Sequence, residues 1–356
     1  MRLELYVLRQ LFVALAFAVV GLLFVALPGI AVSAVHRLPQ TDTLVLVRYL
    51  PIVLQNLVPY VLPICFLLAL VSTFGRLAAD NEWTAIQMAG VNPLRLLAPP
   101  LGVAVALGAT TYWMMAYELP KSKEREKRFL VEAATSSISN LAPGRTSLQL
   151  GGFYVDGAFR DGPVFRDVLI HKPGKGHDED FKAFARSAKL TIEDEVLYVD
   201  LTEVQPVGPS GEWAGLLGRM QVTVPLSEFV TQKEESFGSP RYRTSTEIRR
   251  RIAQGDMSEK QHNRYLYEFH NRMAASSSFL LFLVLGAPTG LLLRRGTRIA
   301  ALATAVGYAL VYYVLSMRFG RELGRGGFIP PAAGAWSTNV VGTLLALGLL
   351  RKAMRR

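Results

Sequence analysis

Cysteine and charge are both scarce in this sequence. Its 356 residues include a single cysteine, Cys65, which excludes an intramolecular disulfide framework and any site built from several thiolates. The five histidines are scattered and form no HExxH motif, so the sequence offers no zinc-protease pattern. Charged residues make up only 19% of the chain and apolar residues 51%, a composition that excludes a disordered or fibrous protein.

Motifs for common enzyme chemistry are also missing. No GxxxxGK[ST] phosphate-binding loop and no GxSxG nucleophile elbow occurs anywhere in the chain. We therefore expect a protein without catalytic residues, without a cofactor and without a metal site. The formal net charge of +11 raises the possibility of nucleic-acid binding, but no basic stripe with interleaved aromatic residues supports a nucleic-acid partner.

Six long stretches contain no Asp, Glu, Lys or Arg. Each is apolar and 19 to 27 residues long, which is the length that a helix needs to cross a bilayer. Helices buried in soluble proteins are shorter on average, at about three turns. We therefore predict six transmembrane helices around the stretches Leu11–Val35, Tyr49–Gly75, Leu96–Tyr117, Met273–Leu293, Ile299–Met317 and Gly326–Leu350.

The first stretch has two interpretations. It could be a signal peptide, with Ala31-Val32-Ser33 as a weak cleavage-like site. Its apolar core is longer than the typical 7–15 residues of a signal peptide. We therefore favour an uncleaved membrane anchor.

The loops between the stretches carry unequal positive charge, which indicates their orientation. Basic residues accumulate on the side that holds both termini, and the two short loops on the other side carry fewer of them. Because basic loops stay in the cytoplasm, we predict that both termini are cytoplasmic. The residues on the cytoplasmic side are Arg2, Arg9, Arg76, Arg95, Arg294, Arg295, Arg298, Arg351, Lys352, Arg355 and Arg356; those in the opposite short loops are Arg37, Arg48, Arg318, Arg321 and Arg325.

A large insert, Glu118–Arg272, separates the third and fourth stretches and lies in the periplasm in this topology. Beyond Pro143-Gly144 the apolar residues recur every second position in six short runs, which indicates strands. We predict a β-jellyroll or β-sandwich here, and domains at residues 1–117, 118–272 and 273–356. Such a fold either offers an apolar groove to a ligand or packs as an ordinary domain, and the sequence leaves both open.

No Asp, Glu, Lys or Arg lies inside the six apolar stretches. Ion-coupled transporters usually place such groups within the membrane. If the chain moves a substrate uphill, we expect the energy to come from a partner.

The second cytoplasmic loop predicts a short helix at about residues 80–90. Asp80 or Asn81 can cap it, and Gly90 supplies a left-handed stop. Its apolar face needs a groove, which is either the lipid interface or a cytoplasmic partner. The residues of interest are Glu82 at the start, Trp83 and Ile86 on the apolar face, and the small residues Ala89 and Gly90 at the end.

The ordered set of features resembles the LptF/LptG permeases of the lipopolysaccharide exporter. Besides the six spans and the β-rich insert, the resemblance rests on the loop of residues 82–93, on Glu268-Phe-His-Asn-Arg272, on Leu285-Gly-Ala-Pro-Thr-Gly290 and on residues 294–298. It covers essentially the whole chain. The single motifs are weak, and their order along the chain is what makes the resemblance specific.

The resemblance implies a permease subunit that extracts lipopolysaccharide from the inner membrane. Its implied partners are a cytoplasmic ABC ATPase dimer, a paralogous permease, and LptC-like and LptA-like proteins of a periplasmic bridge. The helix at residues 82–90 then couples the permease to the ATPase, and the first and fifth spans border the lipid cavity.

Basic side chains at the periplasmic ends of the first and fifth spans are candidates for binding lipid phosphates. Arginine suits this role because its guanidinium group can contact phosphate through two donors. The same residues could simply reach toward ordinary headgroups. The four candidates are His36, Arg37, Arg318 and Arg321.

Two other classes of protein remain as alternatives. A membrane-anchored envelope adaptor or scaffold would bind partners through the β-rich domain and transport nothing. An enzyme is disfavoured because no nucleophile or metal-binding set is present. Co-purification of an ATPase distinguishes the permease from the scaffold.

Overall fold

A computed structural model describes most of the chain. The described residues are 2–37, 43–139, 146–150, 153–161, 164–172, 181–193, 196–207, 217–225, 239–293 and 298–354. They form two compact units. A helical unit comprises residues 1–30, 52–123 and 239–356, and a second unit comprises residues 31–51 and 124–238.

Six helical segments among the described residues are long and apolar enough to cross a membrane, which confirms the predicted number of spans. They are Leu3–Ala34, Val47–Ala79, Leu94–Leu130, Glu259–Leu292, Ala300–Gly326 and Pro331–Ala353, called spans 1 to 6 below. Residues 294–297, which were part of the resemblance, lie outside the described residues.

The helices begin and end as follows. They are α1 (Arg2–Arg37), α2 (Thr43–Ala79), α3 (Glu82–Met88), α4 (Ala98–Trp113), α5 (Leu119–Ser139), α6 (Ser245–Gln254), α7 (Glu259–Leu292), α8 (Arg298–Val314), α9 (Arg321–Gly326) and α10 (Pro331–Met354). Two π-helical segments interrupt spans 3 and 5, at Met114–Glu118 and Leu315–Gly320. Such segments widen a helix locally and often occur at functional sites.

Spans 2 and 4 form the centre of the helical unit. In their most apolar stretches 61% and 67% of the residues are buried, against 11% in span 1 and 22% in span 5. Small residues let the two central helices approach closely. A Cβ atom on Gly290 would lie only 2.7 Å from the backbone nitrogen of Gly75. The buried aromatic residues Phe66, Phe74, Phe279 and Phe282 of the same two helices belong to one core.

The second unit contains one six-stranded antiparallel sheet in which each strand pairs with the next along the chain. Its strands, each of which overlaps a predicted one, are β1 (Thr146–Leu150), β2 (Phe153–Asp161), β3 (Val164–Lys172), β4 (Phe181–Glu193), β5 (Val196–Val207) and β6 (Leu217–Pro225). The prediction of a β-rich insert is therefore confirmed. Its jellyroll or sandwich form is not, because the described strands form a single meander.

An irregular line crosses this sheet. Asp167 in β3 and Glu203 in β5 have positive φ angles of 53° and 51°, which are rare for residues other than glycine. The register of strand pairing omits both residues and also omits Arg186 on β4, the strand between them. Arg186 instead donates a hydrogen bond of 2.9 Å to Glu203, and this carboxylate raises the pKa of the guanidinium. The alternation of buried and exposed residues is interrupted at this line. Along β3 the buried residues Phe165 and Val168 are three positions apart, whereas Val168 and Ile170 are two apart.

Candidate functional site

The short helix α3 lies between spans 2 and 3 in the predicted cytoplasmic loop. Gly90 ends it with a φ angle of 76°, as the sequence predicts. Asn81 precedes the helix, but its side chain forms no capping hydrogen bond with the helix backbone. Asn81 has a φ angle of 58°, in the left-handed region, whereas a capping residue normally has extended backbone.

The apolar face of α3 is buried in the chain's own helical unit. Trp83 and Ile86 are 6% and 9% exposed and belong to the main core. The Trp83 ring packs edge-on against Phe74 of span 2, with ring centroids 6.3 Å apart. The groove that the sequence assigned to lipid or to a partner is thus supplied by the protein itself. As packed, Trp83 and Ile86 position α3 and do not face outward.

The opposite face of α3 is exposed. Met88 is the most prominent residue there, with 78% of its surface accessible. Ala85, Ala89 and Gly90 are exposed beside it. A methionine with small neighbours makes a flat, adaptable apolar surface on which another protein can pack.

A second candidate site is a cleft in the helical unit with a cavity volume of about 40 Å³. Three arginines and one carboxylate line it, so its lining carries an excess of positive charge. The charged residues are Arg241, Arg321, Arg325 and Glu268. Tyr267, Asn271, Ser278 and Ser316 add polar groups that can donate or accept hydrogen bonds.

Glu268 holds two arginines at once. Its Oε2 atom lies 3.1 Å from Nη2 of Arg325, and its Oε1 atom lies 3.5 Å from Nε of Arg272. Glu268 and Arg272 are buried, while the Arg325 side chain is 20% exposed. Arg325 also lies over the Tyr267 ring, with its Cζ atom 5.4 Å from the centroid. The lining of the cleft therefore contains more arginines than carboxylates.

Arg272 connects this carboxylate to the segment that returns from the insert. It donates hydrogen bonds to the carbonyl oxygens of Pro240 and Arg243, at 3.2 and 2.8 Å. It also donates to the hydroxyl of Ser245 at 3.0 Å and to the carbonyl of Ala116 at 3.4 Å. Ala116 lies in the π-helical segment of span 3, where the altered hydrogen-bond pattern leaves carbonyl groups available to side chains.

The structure places the four predicted lipid-binding residues differently. Arg321 lines the cleft, whereas Arg318 is exposed and does not line it. His36 and Arg37 end α1 and belong to the other unit; their side chains lie outside the described residues. The assignment of all four residues to lipid phosphates stays a prediction.

Sequence reasoning missed two of the three arginines at the cleft. Arg325 could have been found, because it follows Arg321 by four residues and shares a helix face with it. Arg241 lies in a 3₁₀ turn, Pro240–Tyr242, far along the chain from span 5. No spacing in the sequence predicts that it comes to the same cleft.

The model of the family described as lipopolysaccharide export system permease LptF/LptG matches residues 5–352, nearly the whole chain. No curated protein matches the sequence.

Proposed function

From the premise that the chain belongs to the LptF/LptG family of lipopolysaccharide export permeases, we propose that it works as one permease subunit of an ABC-type exporter. A separate cytoplasmic ATPase dimer supplies the energy, and a paralogous permease completes the membrane part. The chain itself is a multi-pass inner-membrane protein with six spans. In the proposed orientation both termini and α3 are cytoplasmic, and the sheet is periplasmic.

The observation that carries the coupling proposal is the two-sided packing of α3. Its inner face is fixed in the core by Trp83 and Ile86. Its outer face presents Ala85, Met88 and Ala89. Because the core is closely packed, a partner that displaces α3 would also displace the helices against which Trp83 and Ile86 pack. Glu82 and Gly90 bound the proposed contact at its two ends.

Substitution of Met88 tests this contact. We expect Met88→Glu to release the ATPase in co-purification, because it places a charge in an apolar interface. Met88→Leu is the matched control and should retain the ATPase, since it keeps the apolar volume. A stoichiometric ATPase on the Glu variant would exclude this face as the contact.

The cleft supports a second part of the proposal, the binding of lipid phosphates. Arg241, Arg321 and Arg325 are placed around one space with a single opposing carboxylate. We extend the proposal to these three arginines and keep Arg318 with them, while His36 and Arg37 at the end of α1 stay a separate proposal for contact with lipid phosphates. Guanidinium groups suit this ligand because they bind phosphate through paired donors.

Charge reversal tests the phosphate site. We expect Arg321→Glu and Arg37→Glu to lower the stimulation of ATP hydrolysis by lipopolysaccharide in a reconstituted complex. Arg351→Glu, the same reversal in the last turn of α10, serves as the control and should leave stimulation intact. Full stimulation in both test variants would refute the site.

The sheet is the proposed route from the membrane to the bridge. We propose that it passes lipid to LptC-like and LptA-like proteins. One face of the sheet supports this role because it carries a continuous set of buried apolar residues; they are Val168, Ile170, Ala183, Ala185, Ala188, Val199, Leu201 and Val204.

A further inference from the structure

Two polar contacts tie the beginning of span 1 to the loop that contains α3. The hydroxyl of Tyr6 lies 2.9 Å from each carboxylate oxygen of Glu82, so its one hydrogen is shared between the two acceptors. Nε of Arg95 donates to Oε1 of Glu4 at 2.8 Å. Glu82 is the first residue of α3, and Arg95 lies in the 3₁₀ turn Pro93–Leu97 that follows it. One turn of span 1 therefore contacts the loop on both sides of α3.

Span 1 is attached to the helical unit mainly at this same end. Val7, Leu11 and Leu15 are buried in the core that contains Trp83 and Ile86. From residue 16 to residue 30, no residue of the helix is buried. Beyond Leu15 the helix has only partly buried contacts with this core, through Ala18, Val19 and Leu22, so a small displacement of its buried end becomes a larger one further along.

We infer that Tyr6 is a positioning residue through which movement of α3 reaches span 1. The inference rests on the proposed function, in which the ATPase displaces α3. The acceptor is a charged carboxylate, so this hydrogen bond is stronger than one between neutral groups. Because the hydroxyl lies equally close to both oxygens, it holds the Glu82 carboxylate and the Tyr6 ring in one arrangement. The buried contacts of Val7 and Leu11 keep the helices together, and the Tyr6–Glu82 pair fixes how they turn together.

Tyr6→Phe removes only this link. Tyr6 is 38% exposed, so water can solvate Glu82 once the hydroxyl is gone, and no buried group loses its partner. We therefore expect the variant to fold and to assemble normally. The effect should appear in the coupling between ATP hydrolysis and transport.

The test uses the complete exporter, with ATPase and both permeases, in proteoliposomes containing lipopolysaccharide. We expect Tyr6→Phe to retain stoichiometric ATPase and basal hydrolysis, while the lipopolysaccharide released per ATP falls about fivefold, which corresponds to about 1 kcal/mol, the typical net contribution of one intramolecular hydrogen bond. Tyr112→Phe removes a tyrosine hydroxyl from span 3 and, as the matched control, should leave the lipopolysaccharide released per ATP unchanged.

The outcomes separate this inference from the proposed function. If Tyr6→Phe releases as much lipopolysaccharide per ATP as the native chain, the inference is wrong and the proposed function stands. If the native chain binds no ATPase, the proposed function itself fails.

Crosslinking gives an independent readout. Tyr6→Cys and Glu82→Cys can be joined in one double variant with a short bis-maleimide, because the only native cysteine, Cys65, is buried. Since the two residues move together in the proposed mechanism, joining them should raise the lipopolysaccharide released per ATP in that variant. If joining them stops transport while the ATPase stays bound, the two residues must separate during the cycle and the inference is overturned.

Discussion

Arg272 holds three segments of chain that are distant in sequence. Its guanidinium contacts the π-helical segment of span 3, the return segment at Pro240–Arg243 and Glu268 on its own helix. A buried charge is costly unless it is paired and fully hydrogen-bonded. Arg272 satisfies this condition with backbone carbonyls as well as with a carboxylate. Its position therefore depends on the exact path of the return segment.

Replacement of Arg272 should destabilise the helical unit. We expect Arg272→Leu to cost about 3–5 kcal/mol, because several carbonyl groups lose their donor and the buried carboxylate of Glu268 loses one of its two arginines. Arg272→Lys should cost less, since it keeps the charge but cannot reach all the acceptors. Thermal unfolding in detergent measures both. Arg264→Leu, at an exposed position of the same helix, is the control, and an equal melting temperature for Arg272→Leu and Arg264→Leu would contradict the assignment.

The sequence shows this residue but not its role. The spacing of Glu268 and Arg272 by four residues predicts that they share a helix face, and they do form an ion pair. The other acceptors of Arg272 are mostly carbonyl groups, which every residue has. Their arrangement depends on the tertiary path of the chain, so no local pattern could have predicted it. Arg241 escaped prediction at the cleft for the same reason.

At the scale of elements, α3 was predicted correctly from the sequence, but the surface that covers its apolar face was not. The sequence predicts the helix, its glycine stop and its apolar face, and the structure contains all three. An apolar stripe states only that it must be buried. It does not state whether lipid, a partner or the protein's own core covers it. The core covers Trp83 and Ile86, and this moves the proposed contact to Met88.

Spans 5 and 6 meet at glycines that were not predicted from the sequence to be in contact. A Cβ atom on Gly320 would lie 2.5 Å from the carbonyl oxygen of Gly334, and one on Gly334 would lie 3.0 Å from Cα of Gly324. Gly320 and Gly324 form a GxxxG pattern, which allows helices to pack closely in a membrane. The π-helical segment ends at Gly320, so the close contact adjoins the widened turn.

Larger residues at this contact should separate the two spans. We expect Gly320→Leu to lower the stability of the helical unit by at least about 1–3 kcal/mol, the range typical of overpacking. Gly307→Leu, also in span 5, has no atom within 4 Å of its Cβ position and is the matched control. Thermal unfolding of both variants in detergent is the measurement. Equal stabilities would mean that the helices can move apart without cost.

At the scale of the whole molecule, the two units differed in how much the sequence revealed. Long charge-free stretches have few alternatives to a membrane span, and all six predicted spans are present. Short alternating runs predict strands but not which strands pair. A β-jellyroll or β-sandwich was predicted from regularly spaced short strands, whereas the described strands pair strictly in order. The irregular line crosses three strands at Asp167, Arg186 and Glu203, of which only Asp167 lies within a run that the sequence predicts as a strand.

The orientation of the chain in the membrane follows from its charges and can be measured directly. We expect a cysteine at Lys189, an exposed position of β4, to react with a membrane-impermeant maleimide in intact spheroplasts. A cysteine at the exposed Met88 should react only after the membrane is permeabilised, because basic loops remain on the cytoplasmic side. The native chain is the control, since its one cysteine is buried. The reverse labelling pattern would place the sheet in the cytoplasm, where it could not pass lipid to a periplasmic bridge, and α3 would be out of reach of a cytoplasmic ATPase.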